Sequence, residues 1–113
     1  MLKDQANAWA RDESPVTKFR QMRDSGTDRH YDDATWQEIA AMGWPGILIP
    51  EAFGGSDMDY ATFGVVLEET GRQLVASPLL ASGLVGASAL LLGGSDAQKQ
   101  HWLPRIAAGS AIV

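Results

Sequence analysis

A stretch of fourteen uncharged residues, 79–92, constrains the fold more than any other feature of this sequence. A membrane-spanning helix needs about 20 apolar residues, so this segment is too short to cross a bilayer and is predicted to be buried inside the protein. Its many small residues allow another segment to approach its backbone closely. Close helix packing in a core accounts for that composition. The alternative is one wall of a ligand tunnel, with space beside Ser82, Gly83 and Gly86.

The rest of the sequence is typical of helices separated by tight turns. Apolar residues at helical spacing and favourable capping residues predict helices near 2–13, near 15–24 with Ser14 as cap and Pro15 as first residue, from Asp32 or Asp33, from Asp57 or Asp59, near 78–92, and from Ser95 onward. A short buried extended segment is predicted near 46–50. We therefore expect an all-α fold, a compact bundle of about six helices.

Several details of these helices can be checked against a structure. Helical spacing on the fourth helix predicts a core face formed by Phe63, Val66, Leu67, Thr70, Gly71 and Leu74. Glu68 and Glu69 are expected to lie away from the centre of that face. Gly43 and Gly109 are predicted to end the third and sixth helices. Pro104 is predicted to kink or restart the sixth helix, because proline removes a backbone hydrogen bond.

Charge and cysteine content exclude several classes of function. The formal net charge is −5, which argues against nucleic-acid binding because that needs clustered Lys and Arg. Residues 31–71 hold eight acidic groups and no basic one, most simply a solvated face and alternatively a surface for a basic partner. The lack of cysteine excludes a disulfide scaffold and a cysteine-based metal site. With no secretory signal after Met1, a cytoplasmic chain is expected.

The residues alone predict no catalytic or metal-binding group. The sequence has no glycine-rich phosphate loop and no nucleophile elbow. His30 and His101 lie far apart in the sequence, and neither has an acidic partner at a metal-ligand spacing. Glu68 and Glu69 are adjacent, so their carboxylates point in different directions on a helix and do not form an acid–base pair.

Five short motifs follow one another in a distinctive order. They are the residues 36–44, the Pro-Glu-Ala-Phe-Gly-Gly turn at 50–55, the Glu-Glu helix at 65–72, Ser-Pro-Leu-Leu at 77–80, and Gly-Ser-Asp-Ala-Gln-Lys at 94–99 with the residues that lead to Gly109. In this order and spacing they resemble the N-terminal helical domain of the FAD-dependent acyl-CoA dehydrogenases. The resemblance covers about residues 1–112, which are expected to form one domain. The β domain and the C-terminal helical domain of the family are absent from this sequence.

The resemblance implies an enzyme that removes the α and β hydrogens of an acyl-CoA thioester. In the family a glutamate base takes the proton, FAD takes the hydride, and the electrons pass to an electron-transfer flavoprotein. The full subunit is usually part of a tetramer, here a homo- or hetero-tetramer. The base and most flavin contacts are expected beyond Val113. This chain alone is therefore expected to be inactive and to retain no FAD, and Glu51, Glu68 and Glu69 are not assigned as the base.

Two sets of residues are carried over from the resemblance. The first matches the family's turn and is expected to be structural: Pro50, Glu51, Gly54 and Gly55. The second falls where the family lines its acyl channel: Pro78, Ser82, Gly83 and Gly86. A leucine in place of Gly83 is then expected to block the channel to long acyl chains in the full enzyme. It only disturbs packing if the fifth helix is a core element.

A stand-alone, non-catalytic helical binding or assembly module is the alternative function. It rests on the missing catalytic residues, and such a module would pair with another subunit through the uncharged fifth helix or the acidic region. Under either hypothesis the 113-residue chain lacks two domains of the family, so an apolar face is expected to be uncovered. The isolated chain is therefore predicted to self-associate or to be molten.

Overall fold

The described part of the chain folds as a bundle of six helices. A computed structural model describes residues 1–26 and 28–113. Its helices are α1 (Leu2–Glu13), α2 (Val16–Asp24), α3 (Asp33–Ala41), α4 (Tyr60–Arg72), α5, which begins as the π-helix Leu80–Gly86 and continues as the α-helix Ala87–Gly93, and α6 (Asp96–Ala107). Two short 3₁₀ turns, Trp44–Gly46 and Glu51–Phe53, lie between α3 and α4. No strand occurs in the described ranges, so the all-α prediction is confirmed.

Side-chain caps fix the starts of three helices. The Asp32 carboxylate accepts a 2.9 Å hydrogen bond from the Thr35 backbone N–H, and the Asp59 carboxylate accepts one of 2.8 Å from the Thr62 N–H. Ser95 forms the predicted capping box at the start of α6. Asp59, not Asp57, is the cap of α4, because Asp57 lies in the loop before the helix with φ 52°.

The predicted cap of α2 is wrong. Ser14 does not cap α2, because its backbone N–H completes the last turn of α1 by donating to the Ala10 carbonyl at 3.2 Å. Pro15 is extended, with φ −67° and ψ 166°, and therefore stands one position before the helix instead of inside it. The helix begins at Val16 without a side-chain cap.

The predicted extended segment near 46–50 is also wrong, although its burial is confirmed. The chain turns there, because Gly43 adopts a left-handed conformation with φ 78° and Pro45 restricts its own φ to the range of a turn. Ile47 is helical, with φ −55° and ψ −44°. The Ile49 N–H bonds back to the Gly46 carbonyl at 3.1 Å. Tight turns of buried residues therefore replace the extended segment.

The buried apolar residues that the structure describes form two clusters. The larger one joins α1, α3 and α4 to the buried turns, and its fully buried large side chains include Trp44, Phe63 and Ile39. The smaller one lies where α5 and α6 meet the turn after α3, around Ile49, Leu103 and Ile106. Gly43 and Gly109 end α3 and α6 in the left-handed conformation, as predicted.

The core face of α4 differs from its prediction at one end. Phe63, Val66 and Thr70 are buried, and Leu67 is half-buried. Gly71 is exposed although it is part of the helix, and Leu74 is exposed because the helix ends at Arg72 and the chain then turns away. Glu69, expected off this face, is only 2 % exposed because it faces α1. The sequence pattern thus located the face and misplaced its border.

Proline does not interrupt α6. The helix runs without a break from Asp96 to Ala107, so the predicted restart at Pro104 is wrong. Proline lacks the N–H that would bond the carbonyl of Gln100, and Gln100 is an exposed residue. The turns on both sides are intact, and the Ala108 N–H bonds to the Pro104 carbonyl at 3.1 Å.

Candidate functional site

The uncharged helix α5 has a buried side and an exposed apolar side. Ser82, Gly83 and Gly86 are buried against the rest of the chain. On the opposite side the exposed fractions of Leu80, Val85 and Leu92 are 52 %, 60 % and 85 %. The prediction that this segment is buried is therefore confirmed for one side only.

Gly83 lies where α5 packs against α4. A Cβ atom at this position would lie 3.0 Å from the Phe63 ring and 3.3 Å from the Pro45 carbonyl oxygen. Only glycine allows this approach without a shift of its neighbours. Within this chain the Phe63 ring fills the space beside Gly83, and a role for Gly83 in a channel stays a prediction.

Ser82 and Gly86 lie one turn apart and contact the segment 111–113. Ser82 is fully buried, and its hydroxyl lies 3.5 Å from the Ala111 carbonyl oxygen and 3.4 Å from the Val113 backbone nitrogen. A Cβ atom at Gly86 would lie 3.2 Å from the Val113 Cβ. Pro78, the fourth predicted channel residue, is half-buried and accepts a 2.9 Å hydrogen bond from the Ser82 N–H.

An open apolar groove of about 510 Å³ runs between α5, α6 and the segment 111–113. Its lining is Gly86, Ala89, Leu90, Gly93, Gly94, Gln98, Trp102, Ile112 and Val113. No charged side chain is in this lining. Of the four residues predicted for a channel only Gly86 takes part in it. The groove suits an apolar group, and Gln98 and Trp102 are the lining residues that have a polar atom in the side chain.

The turn predicted at 50–55 brings two backbone segments together, and the Asp57 N–H donates across it to the Ile49 carbonyl at 2.9 Å. Gly54 is left-handed with φ 87°, and its N–H bonds to the Glu51 carbonyl at 2.9 Å. The Gly55 N–H bonds to the Pro50 carbonyl at 3.2 Å. A Cβ at Gly55 would lie only 1.9 Å from the Ile49 carbonyl oxygen, so no side chain fits there. Glu51 is exposed. This geometry agrees with a structural role for the turn.

Comparison with known proteins gives the same picture over most of the chain. The model of the family described as acyl-CoA dehydrogenase, N-terminal domain, matches residues 1–110. The chain belongs to the acyl-CoA dehydrogenase family. It is 39 % identical over 77 residues to (2S)-methylsuccinyl-CoA dehydrogenase of Cereibacter sphaeroides, and this match covers 67 % of this chain and 14 % of that protein. It is 38 % identical over 87 residues to acyl-CoA dehydrogenase IpdE2 of Mycobacterium tuberculosis, and this match covers 76 % of this chain and 26 % of that protein.

A solved structure supports the assignment at the level of the fold. A variant of the Tcur3481-Tcur3483 steroid ACAD superposes with a TM-score of 0.86 at 30 % sequence identity. The match covers 98 % of this chain and 30 % of that one. The chain thus corresponds to the N-terminal helical domain and spans a minor part of the length of these relatives.

The acidic residues of this acyl-CoA dehydrogenase domain form no acid–base pair. Glu68 forms a surface ion pair with Arg72, with 3.1 Å between Oε1 and Nη2. Glu69 is buried, accepts a 2.9 Å hydrogen bond from the Asn7 amide, and lies 3.5 Å from Nε of Arg72. Glu51 is exposed. The described part of the chain contains no group of three residues able to hold a metal ion.

Most of the acidic region 31–71 has a structural use. Asp32 and Asp59 cap helices, and hydrogen bonds from Thr35 and Thr62 lower the pKa of each carboxyl below its ordinary value. Glu38 accepts a 2.9 Å hydrogen bond from the Trp9 indole. Lys18 Nζ also lies 3.9 Å from the Asp32 carboxylate. Contacts within the chain therefore account for these acidic residues, and no basic partner protein is needed to explain them. No helix among the described residues combines the length and apolarity needed to cross a membrane.

The groove does not fit FAD. The pyrophosphate of FAD needs backbone N–H groups at a helix N-terminus or basic side chains. Gln98, in the first turn of α6, lines the groove, but the backbone N–H groups of Ser95 and Gln98 are engaged in the capping box, and no Lys or Arg lines the groove. We therefore derive no step through the flavin from the residues of this domain.

Sequence reasoning missed the exposed side of α5. Ala81, Val85 and Ala89 are all exposed and follow one another at intervals of four residues. That spacing was visible in the sequence, but a segment without any charge gives no polar side from which to orient the helix. Trp102 and the segment 111–113 were also missed as lining residues, because their contact with α5 depends on the turn at Gly109.

Proposed function

We propose that this chain is the N-terminal domain of a longer FAD-dependent acyl-CoA dehydrogenase. The observation that carries the proposal is the apolar exposed side of α5, next to an apolar groove, in a chain of this family. In the proposed enzyme this surface supplies part of the acyl-channel wall and of the packing against the other domains. The reaction removes a proton and a hydride from an acyl-CoA thioester, and both are accepted outside this domain.

The names of the relatives suggest the substrate class. One relative is named for methylsuccinyl-CoA, one for cyclohex-1-ene-1-carbonyl-CoA, and the structural neighbour for a steroid. A channel wall built of Ala81, Val85 and Ala89 projects little from the helix, so it leaves space for a branched or cyclic acyl group. We propose such an acyl-CoA as the substrate, with a tetrameric enzyme in the cytoplasm and an electron-transfer flavoprotein as the acceptor.

In the proposal, the predicted channel residues support the channel wall from the buried side of α5 and do not contact the acyl group. Gly83 lets α5 approach Phe63 closely, and Gly86 leaves room for Val113. Pro78 and Ser82 lie at the start of the same helix. Their proposed contribution is to set the position of α5, while the exposed side chains of Ala81 and Val85 contact the acyl group.

The first experiment is the intact mass and the visible absorption spectrum of the protein from its natural source. A subunit several times larger than 12.1 kDa, with a flavin spectrum, is expected. A colourless chain of 12.1 kDa would contradict the proposal and favour the helical assembly module.

The second experiment tests the channel wall in the flavin-loaded enzyme. Val85→Trp is expected to lower kcat/KM for a cyclic acyl-CoA by at least about tenfold, because the larger ring occupies the space of the substrate. Leu74→Trp is the matched control, since Leu74 is 53 % exposed and lies beyond the end of α4. Equal kcat/KM values for both variants would refute the assignment of this side of α5 to the channel.

A further inference from the structure

Hydrogen bonds at the start of the segment 109–113 fix the direction in which the chain leaves α6. The Gly109 carbonyl accepts a 2.9 Å hydrogen bond from the Trp36 indole. The backbone N–H groups of Ser110 and Ala111 both donate to the Arg105 carbonyl, at 3.0 and 3.1 Å. These bonds turn the chain at the end of α6 and direct the residues after it across α5.

The other end of this segment meets the Ser82 hydroxyl. A hydroxyl can donate and accept a hydrogen bond at the same time, and here it donates to the Ala111 carbonyl at 3.5 Å and accepts from the Val113 N–H at 3.4 Å. One hydroxyl thus contacts two backbone groups of the same short segment, the carbonyl of residue 111 and the N–H of residue 113.

Gly86 completes this contact by its lack of a side chain. It lies one turn after Ser82 on the buried side of α5, and an added Cβ would come within 3.2 Å of the Val113 Cβ. The Val113 side chain therefore lies directly against the backbone of the helix. Ser82 contacts the segment 111–113 by hydrogen bonds, and Gly86 leaves the space that the Val113 side chain occupies.

We propose that Ser82 and Gly86 form a seat that fixes the register of residues 111–113 on α5. Ser82 is a positioning residue, and through this segment it sets the wall that Ile112 and Val113 contribute to the apolar groove. This path of the chain does not depend on whether the groove or α5 contacts an acyl group.

Amide hydrogen exchange of residues 110–113 tests the seat in the natural protein at its full length. The Val113 amide is expected to be protected, and Ser82→Ala is expected to speed its exchange about fivefold, the effect of one lost hydrogen bond. Ser88→Ala is the matched control, because the Ser88 hydroxyl is on the same helix but bonds to Tyr60 Oη at 2.9 Å. Exchange in α3 is expected to be unchanged in both variants, which separates positioning from a general loss of stability.

A second variant keeps the test decisive if Ser82→Ala does not fold. Gly86→Ala leaves the hydroxyl in place and pushes against Val113, so it is expected to speed exchange of the Val113 amide while exchange at Gly109 stays slow. A Val113 amide that exchanges at the unprotected peptide rate in the wild-type protein overturns the proposal. Equal Val113 exchange in Ser82→Ala and wild type overturns it as well.

Discussion

The indole N–H of Trp36 donates a 2.9 Å hydrogen bond to the carbonyl oxygen of Gly109, and this bond ties α3 to the end of α6. A side chain at Gly109 is excluded, because its Cβ would lie 2.5 Å from the Ala40 Cβ. The two buried tryptophans, Trp36 and Trp44, differ in whether the indole N–H has a hydrogen-bond partner. Trp44 Nε1 is buried and has no hydrogen-bond partner among the described residues, while its ring meets Trp9 edge-on at 5.3 Å between centroids.

The two indoles are therefore expected to respond differently to loss of the N–H. Benzothienylalanine keeps the size of the indole ring and lacks the donor. At position 36 it is expected to lower the free energy of unfolding by about 1 kcal/mol, because the Gly109 carbonyl loses its partner. At position 44 it is expected to be neutral or stabilising, because a buried N–H without a partner is removed. Urea unfolding of both variants measures the difference, and equal losses would contradict the expectation.

The buried Glu69 is expected to contribute far more to stability than its neighbour Glu68. Glu69→Ala leaves the Asn7 amide without its 2.9 Å partner in the contact between α1 and α4, and a loss of about 2 kcal/mol is expected. Glu68→Ala removes an exposed ion pair and is expected to cost less than about 0.5 kcal/mol. Chemical unfolding at neutral pH compares them, and a Glu68 variant as destabilised as the Glu69 variant would refute the argument.

Local signals in the sequence predicted the helices well, and contacts between distant segments account for what they missed. The caps at Asp32, Asp59 and Ser95 and the helix ends at Gly43 and Gly109 depend on neighbouring residues, so their chemistry is visible in the sequence. The burial of Glu69 depends on Asn7, which lies 62 positions earlier. No periodicity on α4 could indicate that partner.

The sequence predicted which segment forms the candidate site, but not which side of that helix is exposed. The uncharged α5 was located correctly, but Ser82, Gly83 and Gly86 lie on its buried side. Small residues indicate a close approach of something, and spacing alone does not say whether this is another helix, the segment 111–113 or a ligand. Which side of α5 is exposed depends on the packing of the neighbouring helices, which the sequence of α5 alone does not indicate.

Removal of the Asp32 cap is expected to destabilise the protein in a pH-dependent manner. Hydrogen bonds from Thr35 hold the folded-state pKa of Asp32 below its unfolded value. The stabilisation is therefore fully present above the unfolded pKa of about 3.9 and is lost as the pH falls through the lower folded pKa. Asp32→Ala is expected to cost about 1 kcal/mol at pH 7, and the difference from wild type is expected to shrink towards pH 2. A difference that is constant over this range in urea unfolding would contradict the role of the carboxylate.

The isolated 113-residue chain is expected to self-associate through the exposed side of α5. Leu80, Val85 and Leu92 are more than half exposed, and no charge on this helix opposes contact between copies. Val85→Glu is expected to shift the chain to the monomer, and Leu74→Glu, at an exposed apolar position beyond the end of α4, is the control. Sedimentation velocity at several concentrations measures the change. A monomeric wild-type chain with a sharp, concentration-independent thermal transition would show that this face is compatible with water.

Two glycines test whether α5 is held by close packing. Gly83→Ala is expected to destabilise the protein by about 1–3 kcal/mol, because its Cβ meets the Phe63 ring at 3.0 Å in a tightly packed core. Gly64→Ala on the exposed side of α4 is the matched control. It meets no atom within 4 Å and is expected to stabilise the helix by about 0.5–1 kcal/mol. Thermal unfolding of both variants checks the opposite signs, and two stabilising alanines would show that Phe63 moves aside at little cost. In a folded, flavin-loaded enzyme, an unchanged chain-length preference of Gly83→Leu would leave Gly83 with a packing role alone.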